Sequence, residues 1–224
     1  MKIKYYTHST ILLILNNVKI LVDPFFTNNP ITNYNINKLK DIDYILVTHA
    51  HYDHVADVEC ISKKFNAIII SNYEICQYFK NKKCFTFSIN FGNFIKFNNF
   101  FIKYVWALHS SSFIDGSYGG NPGGFIIKYK KKNIYISGDT DYFFDMKYFI
   151  KKKINLLILP IGGRYTMNYK GAYLTSKLLK CNNILGVHYN TFPEIKINKK
   201  KIKLFFKKKR KRIFLLKENK TIVI

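Results

Sequence analysis

The sequence predicts an α/β fold in which two β-sheets carry helices on their outer sides, and three observations lead to this prediction. Short apolar runs rich in Ile, Val, Phe and Tyr recur along the chain, with the length and composition of strands. Helix-like stretches follow several of these runs, as in strand–loop–helix–strand units. The second half of the chain repeats the order of the first, and no tract rich in Pro, Gly or Ser divides them. We therefore expect one domain over residues 1–224.

The first half begins with three strands separated by polar turns. We place them at residues 2–6, 11–15 and 18–22, with Thr7-His8-Ser9 and Asn16-Asn17 between them. A buried strand, a helix, another strand and a second helix follow at residues 44–47, 55–65, 67–70 and 73–81. Two paired strands are then expected at residues 93–97 and 100–106, on either side of Asn98-Asn99.

The second half is expected to begin with paired strands, followed by alternating helices and strands. The expected elements are strands at residues 124–129 and 133–137, a helix near 142–151, a strand at 156–160, a helix at 171–179, and strands at 184–187, 213–216 and 221–224. Before the last two strands, Ile202, Phe205 and Phe206 share one helical face between Lys-rich runs. This pattern favours an outer helix with a solvated Lys face over a nucleic-acid patch.

The chain carries a formal net charge of +24, from 37 Lys and Arg against 13 Asp and Glu. A basic face is what nucleic-acid binding requires, so this charge raises that possibility. However, Arg, which binds phosphate with two hydrogen bonds and so better than Lys does, occurs only at positions 164, 210 and 212. The abundant residues are Lys, Asn, Ile, Phe and Tyr, which AT-rich codons encode. Codon drift therefore explains the charge better than selection for a polyanionic partner.

The remaining composition indicates a folded, reduced chain. Apolar residues make up 48% of the sequence, which is enough for a buried core. The four Cys form no Cys-x-x-Cys pair and lie in expected helices or strands, so we expect free thiols and a cytoplasmic location. The apolar run at residues 11–15 is too short for a secretion signal or a membrane span, and we expect no membrane partner.

Four metal-capable side chains lie within six residues, directly after the apolar run Tyr44-Ile45-Leu46-Val47. They are His49, His51, Asp53 and His54. Imidazole and carboxylate are the ligands that zinc and other borderline divalent metals accept. So dense a cluster costs desolvation and charge repulsion unless a cation is bound there. The run therefore predicts a metal site at the end of a strand.

Three further metal-capable residues stand where an expected strand gives way to a loop. They are His109, Asp139 and His188. A single His after a strand is more often structural than functional, but loop tips at one edge of a sheet converge. Together with the cluster at residues 49–54, these three are expected to complete the metal site.

The order of these residues resembles that of the metallo-β-lactamase superfamily over nearly the whole chain. The resemblance is carried by Asp23, the His49-x-His51-x-Asp53-His54 run, His109, Gly138-Asp139-Thr140 and His188. Other blocks resemble a bacterial branch of metal-dependent hydrolases similar to ascorbate-6-phosphate lactonase. These blocks are Tyr6-Thr7-His8-Ser9, Asp23-Pro24-Phe25, His109-Ser110-Ser111-Ser112, Gly119-Gly120-Asn121-Pro122, Pro160-Ile161-Gly162-Gly163, Tyr165-Thr166-Met167 and the run from His188 to Pro193.

The resemblance implies a four-layer αββα sandwich with two divalent metal ions at one edge. By this likeness, one ion would be held by His49, His51 and His109, and the second by Asp53, His54 and His188. Asp139 would bridge both ions. Asp23 would lie behind the ligands and accept a hydrogen bond from a ring nitrogen that is not on a metal. Zinc is the expected metal, and manganese, iron and nickel accept the same donors.

Some residues near the expected site have open assignments. His8 is expected at the pocket rim, as a donor to an oxyanion, a phosphate or a leaving group, with a hydrogen-bonded turn residue as the alternative. Arg164 and Asn168 depart from the pattern of the branch, which bears on substrate contacts. Arg164 either binds an anion or lies on the surface. The run Gly119–Gly124 is expected to be a tight connection, because no helix follows it as a phosphate loop requires.

These features predict a metal-dependent hydrolase that uses a metal-activated hydroxide on a small, anionic substrate such as a lactone, ester or phosphoester. Asp53 and His8 are its expected catalytic residues. One alternative is an RNA-processing metallo-nuclease, which would explain the charge, but 224 residues leave no room for an added RNA-gripping arm or domain. The other is a non-catalytic basic nucleic-acid-binding module with a structural metal, which would tolerate the loss of ligands, and none is missing.

Overall fold

The structure is a computed structural model that describes residues 1–149 and 153–224. The chain divides into two compact units, each built from separate segments. Unit 1 comprises Met1–Phe91, Ser110–Pro122 and Lys217–Val223. Unit 2 comprises Gly92–His109, Gly123–Leu216 and Ile224. Within the described residues, each unit contains one seven-stranded mixed sheet.

The strands and helices alternate along the chain much as the sequence predicts. In chain order, the strands are β1 (Lys2–Thr7), β2 (Thr10–Leu15), β3 (Val18–Val22), β4 (Tyr44–Leu46), β5 (Ile68–Ser71), β6 (Thr86–Ser88), β7 (Ile95–Phe97), β8 (Phe100–Trp106), β9 (Gly123–Tyr129), β10 (Lys132–Ile136), β11 (Leu156–Pro160), β12 (Asn183–Val187), β13 (Arg212–Phe214) and β14 (Thr221–Val223). The α-helices are α1 (Tyr52–Val55), α2 (Val58–Phe65), α3 (Tyr73–Asn81), α4 (Met146–Phe149), α5 (Tyr169–Leu178) and α6 (Lys199–Lys208), with 3₁₀ turns at Ile36–Lys38 and Pro193–Ile195.

The sheet of unit 1 has the strand order β14-β1-β2-β3-β4-β5-β6. Strands β14, β1, β2 and β3 pair in antiparallel fashion, whereas β3 to β6 are parallel. As a result, β1, β3 and β4 all end at the same edge of this sheet. That edge carries His8, Asp23 and His49, which follow these three strands closely.

The sheet of unit 2 has the order β13-β12-β11-β10-β9-β8-β7 and the same division into halves. Strands β7 to β10 are antiparallel, and β10 to β13 are parallel. Strands β8, β10 and β12 therefore end at one edge. His109, Asp139 and His188 follow these strands, so the sheet itself brings all three to that edge.

Helices α2 and α3 of unit 1 each bury one apolar stripe against its sheet. Helix α2 buries Val58 and Ile61, and α3 buries Ile75 and Phe79, in one core cluster with strand residues such as Ile45. Asn72 caps the start of helix α3, because its side chain accepts a hydrogen bond from the Ile75 N–H. Packing of this apolar stripe is the main stabilisation of such short helices.

Helix α6 in unit 2 has the predicted apolar face and Lys-rich outer face. Ile202 and Phe206 are buried in the core cluster of this unit, and the half-buried Phe205 packs edge-on against Tyr169 and Tyr173. Lys203, Lys207 and Lys208 are exposed. The outer-helix prediction for this segment is confirmed.

Three elements differ from their predictions. The helix expected at residues 55–65 is split into α1 and α2, because Asp57 leaves helical geometry with φ −112° and ψ 7°. Strand β6 was not predicted, since it is short and only partly buried at the edge of its sheet. The helix expected near 142–151 is α4, which covers Met146–Phe149, while residues 150 and 151 of that prediction lie outside the described residues.

Cys60, Cys76, Cys84 and Cys181 are free thiols, as predicted. Burial raises the pKa of the Cys76 thiol to about 12, so this group stays protonated at neutral pH. It behaves as a small apolar side chain rather than as a nucleophile. Over residues 1–149 and 153–224, no helix is long and apolar enough to cross a membrane.

Candidate metal centre

Asp23 organises the loop after β4 from beneath. Its carboxylate is buried and accepts hydrogen bonds from the Thr48 N–H at 2.9 Å, the Thr48 hydroxyl at 2.7 Å and His54 Nδ1 at 2.8 Å. Because a carboxylate only accepts, the proton of His54 is on Nδ1, and Nε2 carries the lone pair that a metal requires.

His49 and His51 point ligand nitrogens at one another. His49 Nε2 lies 3.0 Å from His51 Nδ1, and the His49 ring centroid lies 4.1 Å from that of His54. His49 Nδ1 lies 3.0 Å from the Thr48 hydroxyl, which fixes the plane of the ring. Two imidazole nitrogens this close fit a site in which both lone pairs bind one cation.

Helix α1 places Asp53 and His54 one residue apart on the other side of this loop. Asp53 Oδ2 lies 3.1 Å from His8 Nε2 and 3.8 Å from His54 Nε2. Ligand atoms of His8, Asp53 and His54 all lie within 4.8 Å of one another. The His8 side chain is fully buried and stacks edge-on against Phe25. Its burial and its contact with Asp53 favour a role in orienting that carboxylate.

Unit 2 brings together the other three predicted ligands. Asp139 Oδ2 lies 2.9 Å from His188 Nε2 and 3.8 Å from His109 Nε2. Asp139 and His188 are almost completely buried, and His109 is slightly more accessible. One carboxylate oxygen therefore lies beside two imidazole nitrogens, an arrangement that fits a shared metal-binding carboxylate.

Three residues of the candidate site have left-handed backbone conformations. The φ angles are 50° at His8, 44° at Asp23 and 52° at His188. Such angles are unfavourable for residues other than Gly and cost on the order of 1–3 kcal/mol each. The fold tolerates them in both units directly after a strand, which is how these side chains turn toward the sheet edge.

A second loop, residues 110–122, braces the metal-binding loop of unit 1. Ser111 Oγ accepts a hydrogen bond from the Ala50 N–H at 3.2 Å and donates one to the Gly119 carbonyl at 2.9 Å. A Cβ atom on Gly119 would lie 2.3 Å from the Ala50 Cβ, so only Gly fits here. Asn72 Nδ2 donates to the same Gly119 carbonyl at 2.8 Å. Ala50, which separates His49 from His51, is thus fixed on two sides.

The sequence did not reveal this brace. The sequence assigns no role to the Ser run at 110–112 and predicts only a tight connection for the Gly run at 119–124. The available signal was the small side chains in both runs, because two backbone segments can approach closely only where the side chains between them are small. Ser110 Oγ also lies 3.4 Å from His51 Nε2.

Asp57 is a further supporting residue that the sequence did not indicate. Its carboxylate accepts hydrogen bonds from the N–H groups of Phe26 at 2.6 Å and Thr27 at 3.0 Å, and from the Thr27 hydroxyl. Its own N–H donates to the Pro24 carbonyl at 3.2 Å. Asp57 therefore ties the segment after Asp23 to the junction between α1 and α2, which explains the break between these helices.

The two residues that depart from the family pattern have structural explanations. Asn168 caps α5, because its side chain accepts hydrogen bonds from the N–H groups of Lys170 at 2.8 Å and Gly171 at 3.2 Å. Arg164 is exposed, has a φ of 59°, and lies over the ring of Tyr165 at 5.6 Å. Asn168 therefore serves as a helix cap. The guanidinium of Arg164 is exposed and so accessible to an anion.

The donor sets in both units fit a divalent metal. Unit 1 supplies His49, His51, Asp53 and His54, and unit 2 supplies His109, Asp139 and His188. These are neutral imidazoles and carboxylates, and Asp23 fixes one ring from behind, as metal sites require. Such a mixture accepts zinc and other borderline divalent ions.

Comparisons with known proteins agree with this geometry. A model of the β-lactamase superfamily domain matches residues 2–188, a span that includes every predicted ligand. A UPF0173 metal-dependent hydrolase from Flavobacterium johnsoniae is 49% identical over 211 residues, 93% of each chain. A UPF0173 metal-dependent hydrolase from Christiangramia forsetii is 43% identical over 219 residues, 96% of each chain.

Igni18, a metallo hydrolase from the hyperthermophilic archaeon Ignicoccus hospitalis, has a solved structure similar to this one. It is 29% identical, with a TM-score of 0.89 over 99% of this chain and 97% of its own. The predicted fold class is thereby confirmed, with two mixed β-sheets flanked by helices. The chain therefore belongs to the metallo-β-lactamase superfamily, among its metal-dependent hydrolases.

Proposed function

We propose that this protein hydrolyses a small, anionic metabolite, a lactone, an ester or a phosphoester, with water activated at a two-metal His/Asp site. The observation that carries the proposal is the position of Asp139. One of its carboxylate oxygens lies beside both His188 and His109, at 2.9 and 3.8 Å. A carboxylate shared in this way supports a bridging role between two ions.

The proposed ligands follow the order that the family resemblance implies. His49, His51 and His109 would hold one ion. Asp53, His54 and His188 would hold the other, and Asp139 would bridge them. The contact between His49 and His51 at 3.0 Å supports placing these two on one ion, and the contact between Asp53 and His54 at 3.8 Å supports placing those two on the other. Zinc is the proposed metal, with manganese, iron or nickel as alternatives.

The metal ions would lower the pKa of water from about 15.7 towards about 7 and polarise the carbonyl or phosphoryl oxygen of the substrate. Asp53 is proposed to accept the proton that the attacking water releases. His8 would hold Asp53 in place through the contact between His8 Nε2 and Asp53 Oδ2. Hydrolysis then adds OH to the acyl or phosphoryl centre and returns the proton to the leaving alkoxide. Asp23 would keep Nε2 of His54 as the coordinating nitrogen.

The chemistry of the donor set supports an anionic substrate. Two divalent ions with two carboxylates and five neutral imidazoles leave net positive charge at the site, which stabilises a negatively charged transition state. Arg164 is the proposed contact for a carboxylate or phosphate at a distance from the scissile bond.

The proposal is tested with the purified protein. Bound metal is counted by elemental analysis, and lactones, phosphodiesters and RNA are offered to the wild type, to Asp53→Ala and to Asp115→Ala, a matched control because Asp115 is exposed. We expect two metals per chain and hydrolysis of a small ester or lactone that is lost in Asp53→Ala alone.

Two results would contradict the proposal. Fewer than one metal per chain would remove its central claim. Cleavage of RNA that is lost in Asp53→Ala, without hydrolysis of small substrates, would instead establish the metallo-nuclease alternative.

A further inference from the structure

A group of exposed apolar side chains lies beside the ligands of unit 2. Trp106, Leu108, Phe144 and Tyr148 are 42%, 47%, 57% and 62% exposed. Trp106 packs edge-on against the half-buried Phe143, with ring centroids 5.5 Å apart. We call Trp106, Leu108, Phe143, Phe144 and Tyr148 the aromatic ledge. Large apolar side chains gathered in this way are unfavourable in water and mark a binding surface.

The aromatic ledge is fixed to the ligand loops by backbone hydrogen bonds. The Leu108 N–H donates to Thr140 Oγ1 at 2.9 Å, and the Asp141 N–H donates to the Leu108 carbonyl at 3.3 Å. These bonds join the loop after β8 to the loop after β10. Leu108 directly precedes His109, and Thr140 directly follows Asp139. The backbone at Leu108 is therefore fixed beside the loop that carries Asp139.

One end of the aromatic ledge carries a cation. The Lys147 ammonium lies 3.6 Å above the ring of Phe144 and 4.8 Å above that of Tyr148. A cation over aromatic faces shields them partly from water. Its interaction with an exposed ring is weak, so an incoming apolar group would displace the Lys147 ammonium at a small free-energy cost. Trp106 and Leu108 lie nearer to His109 in the sequence and carry no such cover in the described structure.

We infer that the substrate has an apolar arm that binds the aromatic ledge while its scissile group reaches the metal ligands. This inference rests on the proposed function and narrows its substrate class to amphipathic esters or lactones. The apolar arm is favoured over a partner protein because the ledge leads directly into the ligand loops. Each methylene that becomes buried should raise kcat/KM by about two- to fourfold.

The first test is a chain-length series. The probes are p-nitrophenyl esters from acetate to octanoate, offered to the wild type, Leu108→Ala, Trp106→Ala and Leu174→Ala. Leu174 is a matched control, because it lies on α5 of the same unit and is 43% exposed. We expect kcat/KM to rise with chain length in the wild type and in Leu174→Ala, chiefly through KM. In Leu108→Ala and Trp106→Ala this slope should flatten, because kcat/KM falls more for the longer esters than for acetate.

The second test does not depend on catalysis. Trp106 is the single Trp of the chain, so intrinsic tryptophan fluorescence reports on the aromatic ledge alone. Octanoate should shift the emission to shorter wavelength in the wild type and in Leu174→Ala, with weaker binding in Leu108→Ala, and acetate should not. If octanoate shifts the Trp106 emission but no ester is hydrolysed, the proposed function is contradicted and the aromatic ledge remains a binding surface. Hydrolysis without chain-length dependence, or no shift with octanoate, would overturn the inference.

Discussion

At the scale of single residues, the candidate site depends on Asp23 as much as on the ligands. This residue has an unfavourable left-handed φ of 44°, and three donors from Thr48 and His54 offset that cost. The same hydrogen bonds decide which nitrogen of His54 carries a proton. Backbone strain and ligand tautomer are therefore coupled at one carboxylate.

Replacing Asp23 with Asn should lower metal affinity by about 10- to 100-fold. The amide NH₂ would face the Thr48 hydroxyl or His54 Nδ1, and a donor opposite Nδ1 moves the imidazole proton to Nε2, the coordinating nitrogen. Metal affinity is measured by competition with a chelator. Asp41→Asn is the control, because Asp41 is exposed and pairs only with Lys19 among the ion pairs of the described residues. Wild-type affinity in Asp23→Asn would contradict the role given to this residue.

Replacing Arg164 with Gly separates its two possible roles. Gly adopts φ 59° without strain, so the free energy of unfolding should rise by up to about 1 kcal/mol after the entropy cost of Gly is subtracted. Urea denaturation measures this change. Lys130→Gly, at a turn residue with φ 52°, should give the same gain. If Arg164 binds the substrate, KM for an anionic substrate rises in Arg164→Gly but not in Lys130→Gly. An unchanged KM would make Arg164 a turn residue alone.

At the scale of elements, the loop at residues 110–122 is the support that holds Ala50 between the two candidate ligands His49 and His51. The hydrogen bond from the Ala50 N–H to Ser111 joins residues 61 positions apart. The side chain of Ser111 is nearly buried, so its two bonds are shielded from water. A shift in this loop would displace the peptide between His49 and His51.

Replacing Ser111 with Ala should lower the free energy of unfolding by about 1–3 kcal/mol, because a buried N–H loses its acceptor. Metal affinity should fall as well, since the peptide between His49 and His51 is no longer fixed. Ser117→Ala is the control in the same loop, because the exposed Ser117 side chain donates a hydrogen bond to Asp115. Equal stability in the two variants, by urea denaturation, would argue against the brace.

The sequence predicted the sheets better than it predicted the supports of the site. Alternating apolar runs are local signals, so β1 to β3 and the pair β7 and β8 were placed within two residues of their observed bounds. The contact of Gly119 with Ala50 was not predictable, because the partners are distant in sequence and small residues alone do not identify which segment they approach. The helix break at Asp57 likewise depends on hydrogen bonds to Phe26 and Thr27 that periodicity does not encode.

At the scale of the whole molecule, charge is the dominant feature. Thirteen carboxylates cannot neutralise 37 Lys and Arg, so the folded chain concentrates positive charge that unfolding would spread apart. Exposed pairs such as Lys63 with Glu59 are worth little individually. Self-repulsion therefore lowers the stability of the native state at low salt.

Raising the ionic strength from 10 mM to 200 mM should increase the melting temperature by several degrees. The screening length falls from about 30 Å to under 10 Å over this range, and repulsion between distant lysines weakens accordingly. Differential scanning calorimetry in NaCl measures the effect. A melting temperature that stays constant or falls would show that net repulsion is small, and that the lysines are compensated in the fold.

The pairing of β14 with β1 has a consequence for how the protein is made. Lys2 pairs with Val223, so the outer edge of the first strand is completed by residues near position 223. During synthesis, β1 emerges from the ribosome long before β14, its partner at this edge. An unpaired strand edge is a template for aggregation. Lys2 and Lys4 place positive charge on this strand during the interval before β14 is synthesised. Charged side chains at an open strand edge oppose such pairing, so we expect Lys2 and Lys4 to limit aggregation of the nascent chain.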